Sequence, residues 1–325
     1  MKNRRGVALL AALWLVVAIA VVTLQFSLDA QERRALGLAA AERGQARAAA
    51  AGALAVMQAR LDYALRSAPR GRGNVAALRS SDPWLGVDSL YSGQLLVDSI
   101  AVDVRASDLG AQLNVNTLTE DELRTFFGFL LRRADVADEL AQSIFDWRDA
   151  DDIPRPRGGE RDQYVKEGML SIPANAQFRE VDDLLQVRSM TPEILATAKP
   201  FLSTRAAATI NLNTAPPEVL RVLPGMSDAI LATILGLRAQ GRRITSVQQV
   251  MQTMQRGRML TGPQAAMTQQ ATQRLASRAT VETNQVQLVL TARSAPPAQP
   301  VRLLAILQRA SNAGGPFALV EWREW

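Results

Sequence analysis

Six carboxylates, Asp146, Asp149, Asp151, Asp152, Glu160 and Asp162, fall within 17 residues of the stretch DWRDADDIPRPRGGERDQY (146–164). Like charges this dense repel one another unless they are solvated, paired with cationic side chains or gathered around a cation. Pro154, Pro156, Gly158 and Gly159 make the segment a loop able to fold Glu160 back onto the Asp cluster. Calcium suits such a loop, because it takes about six to eight oxygen ligands from flexible backbone. The spacing is not that of an EF-hand: no Gly follows a D-x-D-x-D run, and no Glu stands at the twelfth loop position. Arg148, Arg155, Arg157 and Arg161 support a second reading, a loop closed by its own ion pairs. Residue chemistry alone leaves these two open. Magnesium-dependent catalysis is a poorer third, since no phosphate-binding Gly loop accompanies the acids.

Other chemistry is scarce. The 325 residues contain no Cys and no His, which removes thiol nucleophiles, disulfides, Cys/His zinc sites and every His-dependent dyad. Lys occurs only as Lys2, Lys166 and Lys199, none in a recognisable catalytic motif. The chain therefore reads as a non-enzyme. Without Lys2, Arg4 and Arg5 the net charge falls from +6 to +3. The remaining Arg residues are scattered rather than gathered on one face, as a nucleic-acid protein would have them.

The elements that must carry the loop begin with MKNRRG, a basic hexapeptide. Val7–Leu28 follows without a charge, long enough to span about 30 Å of hydrocarbon. Basic residues before the run place the N-terminus in the cytoplasm and the remainder across the membrane. No A-x-A site precedes the charges that end the run, so a cleaved secretory signal fits poorly; a plain signal anchor fits the same segment. Helix formers and an Ala/Leu stripe continue to about Ser67, predicting one long helix weakened at Gly37, Gly44 and Gly52 and ended by Pro69–Asn74. Gln94–Arg105 alternates as a strand, and Ala111–Val115 is expected to continue its sheet. Helices are predicted from the Thr119–Asp121 cap onward and over Asp135–Trp147. Thr280–Thr291, Val301–Gln308 and Phe317–Trp322 read as strands, with Ala295–Pro300 as a hairpin connection. Strands thus bracket a helical middle, the pattern of an α+β unit with a helical insertion.

That middle contains an echo. LNVNT (113–117) precedes LTEDEL, and INLNT (210–214) precedes APPEVL. Each reads as a short extended piece entering a turn and a helix, with Thr117/Thr119 or Thr214 as the caps. The second copy runs on through LPGMSDAILATILGLRAQGRR and resembles helix-hairpin-helix modules, whose hairpin Gly residues offer backbone N–H groups to phosphate. Here the hairpin is Gly225-Met226-Ser227, so the second Gly is replaced. Arg238, Arg242 and Arg243 lie nearby as candidate DNA contacts; a helical packing module is the plainer reading.

Gly6, between the basic cluster and the apolar run, resembles the cleavage position of type IV pilins and pseudopilins. That resemblance implies prepilin peptidase cutting between Gly6 and Val7, with Val7 N-methylated. Most of that class carry Glu at the fifth mature position; Ala11 stands there. A buried Glu in lipid needs a partner, so its absence suits a subunit at a filament end. With RRGVALLAALWLV, DWRDADD…GGERDQY and INLNTAPPEVL taken together, the chain resembles the general secretion pathway protein K family, the largest minor pseudopilins of the type II secretion system. Gly159 and Arg161 depart from that family's loop, which places Asp162 one position out of register.

The resemblance implies a pilin-like long N-terminal helix on a small antiparallel sheet, interrupted by a large inserted helical domain, SAM-like or helix-hairpin-helix-like. The expected divisions are a cleaved leader (1–6), a transmembrane segment (7–28), the pilin-like helix and first strands (29–118), the inserted domain with the acidic loop (119–205), the helix-hairpin-helix-like region (206–278) and closing strands (279–325). It further implies calcium, with Asp149, Asp151, Asp152, Glu160 and Asp162 as candidate ligands. The implied place is the pseudopilus tip on the inner membrane, main domain periplasmic, with I-type and J-type minor pseudopilins beside it and the H-type below. Nucleic acid is not an expected partner. The competing reading is a membrane-tethered helix-hairpin-helix DNA-binding protein of a DNA-uptake or type IV pilus system.

Overall fold

The computed structural model describes residues 4–67, 92–255, 263–293, 299–309 and 317–324. The expected helix terminator Pro69–Asn74 and most of the 295–300 connection lie outside these.

Helix α1 runs unbroken from Arg4 to Ser67, about 96 Å at 1.5 Å per residue. Its upper part is long and apolar enough to cross a membrane and is not covered by the rest of the chain; Trp14 and Phe26 are exposed there. Further along, Ala46, Ala49, Ala50, Ala53, Met57 and Leu61 are buried. Their three- and four-residue spacing makes one stripe, and the small Ala side chains let the helix lie close on a sheet.

That sheet has five strands in the order β1-β2-β7-β8-β9, from β1 (Gly93–Val97), β2 (Ile100–Asp108), β7 (Gln285–Ala292), β8 (Val301–Arg309) and β9 (Phe317–Glu324). All neighbours are antiparallel. Alternate residues Val102, Val104, Ala106, Val286, Leu288, Leu290, Leu303, Ala305 and Leu307 form one core with the α1 stripe. Burial in β7 alternates strictly along its length, as one face packed on a helix requires. An ion pair of 2.7 Å between Arg47 and Glu324 ties α1 to the edge strand.

Between β2 and β7 the chain leaves the sheet and builds a second core. Its elements are β3 (Leu113–Asn114), α2 (Glu120–Leu131), α3 (Ala134–Arg148), α4 (Arg161–Lys166), α5 (Pro192–Ala198), β4 (Leu202–Ser203), β5 (Ile210–Asn211), α6 (Pro217–Leu220), α7 (Asp228–Ala239), α8 (Val247–Gln255), α9 (Pro263–Arg278) and β6 (Ala279–Thr280). The α+β architecture with an inserted helical domain is therefore as expected. One local expectation is corrected: 111–115 does not continue the main sheet. Leu113–Asn114 pairs in parallel with Leu202–Ser203, because β2 ends at the buried Asp108 and a 3₁₀ turn over Leu109–Ala111 redirects the chain.

The sequence echo is real in three dimensions. β5 pairs in parallel with β6 as β3 pairs with β4. In each unit the first Asn caps its own turn: Asn114 Oδ1 accepts from Asn116 N–H at 2.9 Å, and Asn211 Oδ1 from Asn213 N–H at 3.0 Å. The second Asn reaches across to hold a distant backbone, Phe178 in one unit and Ile244 in the other. Thr119 caps α2 through a reciprocal box with Glu122. Thr214 does not cap α6, whose N-cap is Pro216; its hydroxyl donates to Asp108 Oδ2 at 2.6 Å.

Candidate functional site

α3 delivers the acidic loop. Its C-terminal turn buries Asp146 completely beside Trp147, and the chain then leaves the helix through Asp149. Gly158 passes so close that a Cβ there would lie 2.1 Å from Asp146 Oδ2. The Pro/Gly composition therefore brings 155–160 back over the end of α3, as the sequence suggested.

Arg155 fills half of the cluster. Its Nη1 lies 2.5 Å from Asp146 Oδ1 and 2.7 Å from Asp149 Oδ2, and its Nε reaches Glu120 at 3.2 Å. Burial works against the guanidinium's charge, but Asp146 and Asp149 hold its pKa above the ordinary arginine value. The ion-paired reading of the loop is thus correct for Asp146 and for one oxygen of Asp149.

It is not correct for Glu160. This residue is only 4% exposed, yet neither carboxylate oxygen has a hydrogen-bond partner. Burial, then the charges of Asp146, Asp149, Asp152 and Asp151, push its pKa up to about 7. Asp149 Oδ1 is also buried without a partner. Asp151 and Asp152 are exposed at the loop tip, as is Asp162 on α4. Asp152, Glu160 and Asp162 line one cavity of about 510 Å³ together with Asn175. Asp151 turns inward on itself, its Oδ1 accepting from Ile153 N–H at 3.0 Å. Among the described residues no three carboxylates stand close enough to hold a metal alone. The orphaned oxygens of Glu160 and Asp149 nevertheless fit a hard, oxygen-seeking cation, since buried carboxylates need compensation.

Arg188 braces the loop from outside and was not singled out from the sequence. Its N–H donates to the buried Tyr164 hydroxyl at 2.8 Å. Its guanidinium meets Glu167, Glu139 and the carbonyl of Arg157. Only the fold brings these together, so no local signal exposed the role.

The helix-hairpin-helix candidate is positioned differently from a phosphate cradle. Gly225 has φ +81°, and a Cβ there would meet Ala271 O at 3.0 Å, so this turn backs against α9. Ser227 caps α7 by accepting from Ile230 N–H. Arg238 is half-buried, with Nε 2.8 Å from Leu212 O and Nη1 2.7 Å from Ala215 O. It closes the INLNT turn and is not a free cation for DNA. Gly6 and Val7 lie in the first turns of α1.

A long apolar helix packed on an antiparallel sheet, with a helical domain spliced between two central strands, defines the class: a pilin-like fold carrying an inserted α-domain. A family model for "Type II secretion system (T2SS), protein K" matches residues 111–207. Type II secretion system protein K of Pseudomonas aeruginosa is 26% identical over 151 residues, 42% of this chain and 45% of that protein. The match thus spans less than half of that relative. A chain in the crystal structure of the GspK-GspI-GspJ complex from the enterotoxigenic Escherichia coli Type 2 Secretion System superposes with a TM-score of 0.65 at 17% identity, covering 87% of this chain and 97% of that one. These likenesses agree with the resemblance to the protein K family of the type II secretion system drawn from the sequence.

Proposed function

We propose that the chain is a minor pseudopilin at the tip of the type II secretion pseudopilus, where it primes assembly and supports export through the outer membrane. The observation that carries this is α1. A single helix exposes an apolar membrane-length segment and then buries an Ala stripe under the sheet, so one rigid rod joins the bilayer to the folded domain. Such a rod can lie in the inner membrane before assembly and pack among like helices afterwards. I-type and J-type minor pseudopilins are the proposed neighbours, in line with the composition of the complex that holds the structural relative, with the H-type below. The bulk of the inserted domain suits a position with no subunit above it. The main domain is then periplasmic.

Prepilin peptidase is proposed to cut between Gly6 and Val7, leaving Val7 N-methylated. Mass spectrometry of the chain co-expressed with an active peptidase tests this: a methylated Val7 terminus is expected, and an intact Met1 terminus overturns it.

Calcium is proposed in the acidic loop. Glu160 and Asp149 would contribute their unpartnered oxygens, with Asp151, Asp152 and Asp162 at the rim. The ion would supply the positive charge that Arg155 does not bring to Glu160, and would fix the loop on the end of α3. The unpartnered buried oxygens support this reading.

A further inference from the structure

We propose that the inserted domain is hinged on two adjacent strands and held at one angle by an ionic latch on the edge strand β9, in which Arg205 and Glu180 of the inserted domain grip Glu321 and Arg323.

The hinge follows from topology. The chain leaves the sheet at the end of β2 and returns at the start of β7, and these ends are in register, with Asp108 opposite Val286. Attachment points on neighbouring strands, about 5 Å apart, fix a line and resist rotation about it poorly. The bonds from Asp108 to Asn211, Thr214 and Thr283 lie on that line and add little against a swing. Apolar packing beyond it is slight. Leu109, Ala206 and Ile306 are buried together, with Leu304 at their side. Apolar stabilisation scales with the area removed from water, so this small cluster holds the inserted domain only weakly.

The latch sits where it has leverage. In the sheet order β9 lies two strands beyond β7, about 10 Å away. Glu321 and Arg323 alternate with Trp322 and so share one face of β9. Glu321 Oε2 accepts from Arg205 Nε at 2.7 Å, Glu321 Oε1 lies 2.8 Å from Arg323 Nε, and Arg323 Nη1 donates to Glu180 Oε1 at 2.8 Å. The charges thus alternate from the inserted domain to the strand and back. Arg205 is 21% exposed and Glu321 29%, so solvent and salt screen that pair less than a surface pair. The two parts also enclose a cavity of about 720 Å³, lined by Gln287 and Leu304 of the sheet and by Glu180 and Leu202 of the inserted domain. Close packing does not substitute for the ions there. The opposite face of β9 is tied to α1 through Glu324 and Arg47. One edge strand therefore joins the rod to the inserted domain, and a displacement of either is passed on through β9.

Spin-label distances test this. The chain has no Cys, so labels go only to Ala55→Cys on α1 and Ala196→Cys on α5, both exposed. Pulsed electron paramagnetic resonance on the full chain in detergent micelles then reads the angle as a distance. We expect one narrow distance in the labelled parent, a second population in Arg205→Gln and in Arg323→Gln, and that population dominant when both are changed. Arg293→Gln, which breaks an exposed pair with Asp103 on the same face of the sheet, should keep the single distance. Far-UV circular dichroism equal to that of the parent shows that the fold is intact. A parent-like narrow distance in the folded double variant would overturn the latch, as would two populations in the parent or an equal opening in Arg293→Gln. If the double variant loses helix, the half-exposed Arg323→Gln decides, and a parent-like distance there overturns the latch.

Discussion

Arg148 and Arg238 occupy equivalent places at the ends of α3 and α7, each locking the turn that opens its own half of the inserted domain. Arg148 bonds the carbonyls of Val115 and Leu118; Arg238 bonds those of Leu212 and Ala215. Val115 and Leu212 hold the same place in the two N-x-N turns, as do Leu118 and Ala215. Burial lowers both guanidinium pKa values to about 10, which keeps them charged at neutral pH. The inserted domain is two versions of one unit, and the acidic loop is what the first version grew after its second helix.

Arg148→Ala or Arg238→Ala leaves two carbonyls without their charged donor, at an expected cost of about 2–4 kcal/mol each. Lys recovers little, because an ammonium cannot reproduce the planar fork. Chemical denaturation of the full chain measures this, and a change below about 0.5 kcal/mol, the size of an ordinary surface substitution, would show the bonds to be incidental.

Gly158→Ala pushes a methyl into Asp146, which cannot retreat because it is held by Arg155. We expect a loss of about 1–3 kcal/mol from overpacking together with weaker calcium uptake. Unchanged melting would mean that the loop does not close on α3.

Asp108 joins the two cores. Its Oδ2 accepts from Asn211 Nδ2 at 2.8 Å, Thr214 Oγ1 at 2.6 Å and Thr283 Oγ1 at 3.0 Å, while Oδ1 accepts from Gly110 N–H. Asp108→Ala strands these donors and should cost about 2–3 kcal/mol. Calorimetry should then show the sheet and the inserted domain melting separately, where the parent melts as one.

Glu160 gives a pH signature in calcium-free protein. Its folded pKa, about 7, lies above its ordinary value of 4.5, so the folded state binds the proton more tightly than the unfolded one. Its contribution is therefore most favourable below pH 4.5 and is lost as pH rises through 7. Glu160→Gln should raise the melting temperature in chelator more at pH 8 than at pH 5. Equal effects at both would mean that Glu160 is not a strained carboxylate. Calcium should remove the difference by stabilising the parent.

What was legible in the sequence was what local pattern encodes. The uninterrupted apolar run, the Ala/Leu stripe and the alternating strands each declare themselves within a few turns of chain. The acidic loop was legible as a cluster, but its division was not: Arg155 and Glu160 differ only in what the fold puts opposite them. Thr214 looks like a helix cap because Pro216 and Pro217 behind it suit a first helical turn, yet the helix starts two residues later and the hydroxyl donates to a buried carboxylate far away in sequence. Arg238, beside a helix-hairpin-helix motif, suggested a phosphate contact; its carbonyl partners precede it by more than twenty residues.

Purifying the full chain with I-type and J-type minor pseudopilins in detergent, and weighing the product by light scattering, tests the proposed place at the tip. One stable complex containing all three at micromolar concentration is expected, lost when the membrane-proximal part of α1 is disrupted. A chain that elutes alone, with the I- and J-type proteins intact and folded beside it, would contradict the tip assignment.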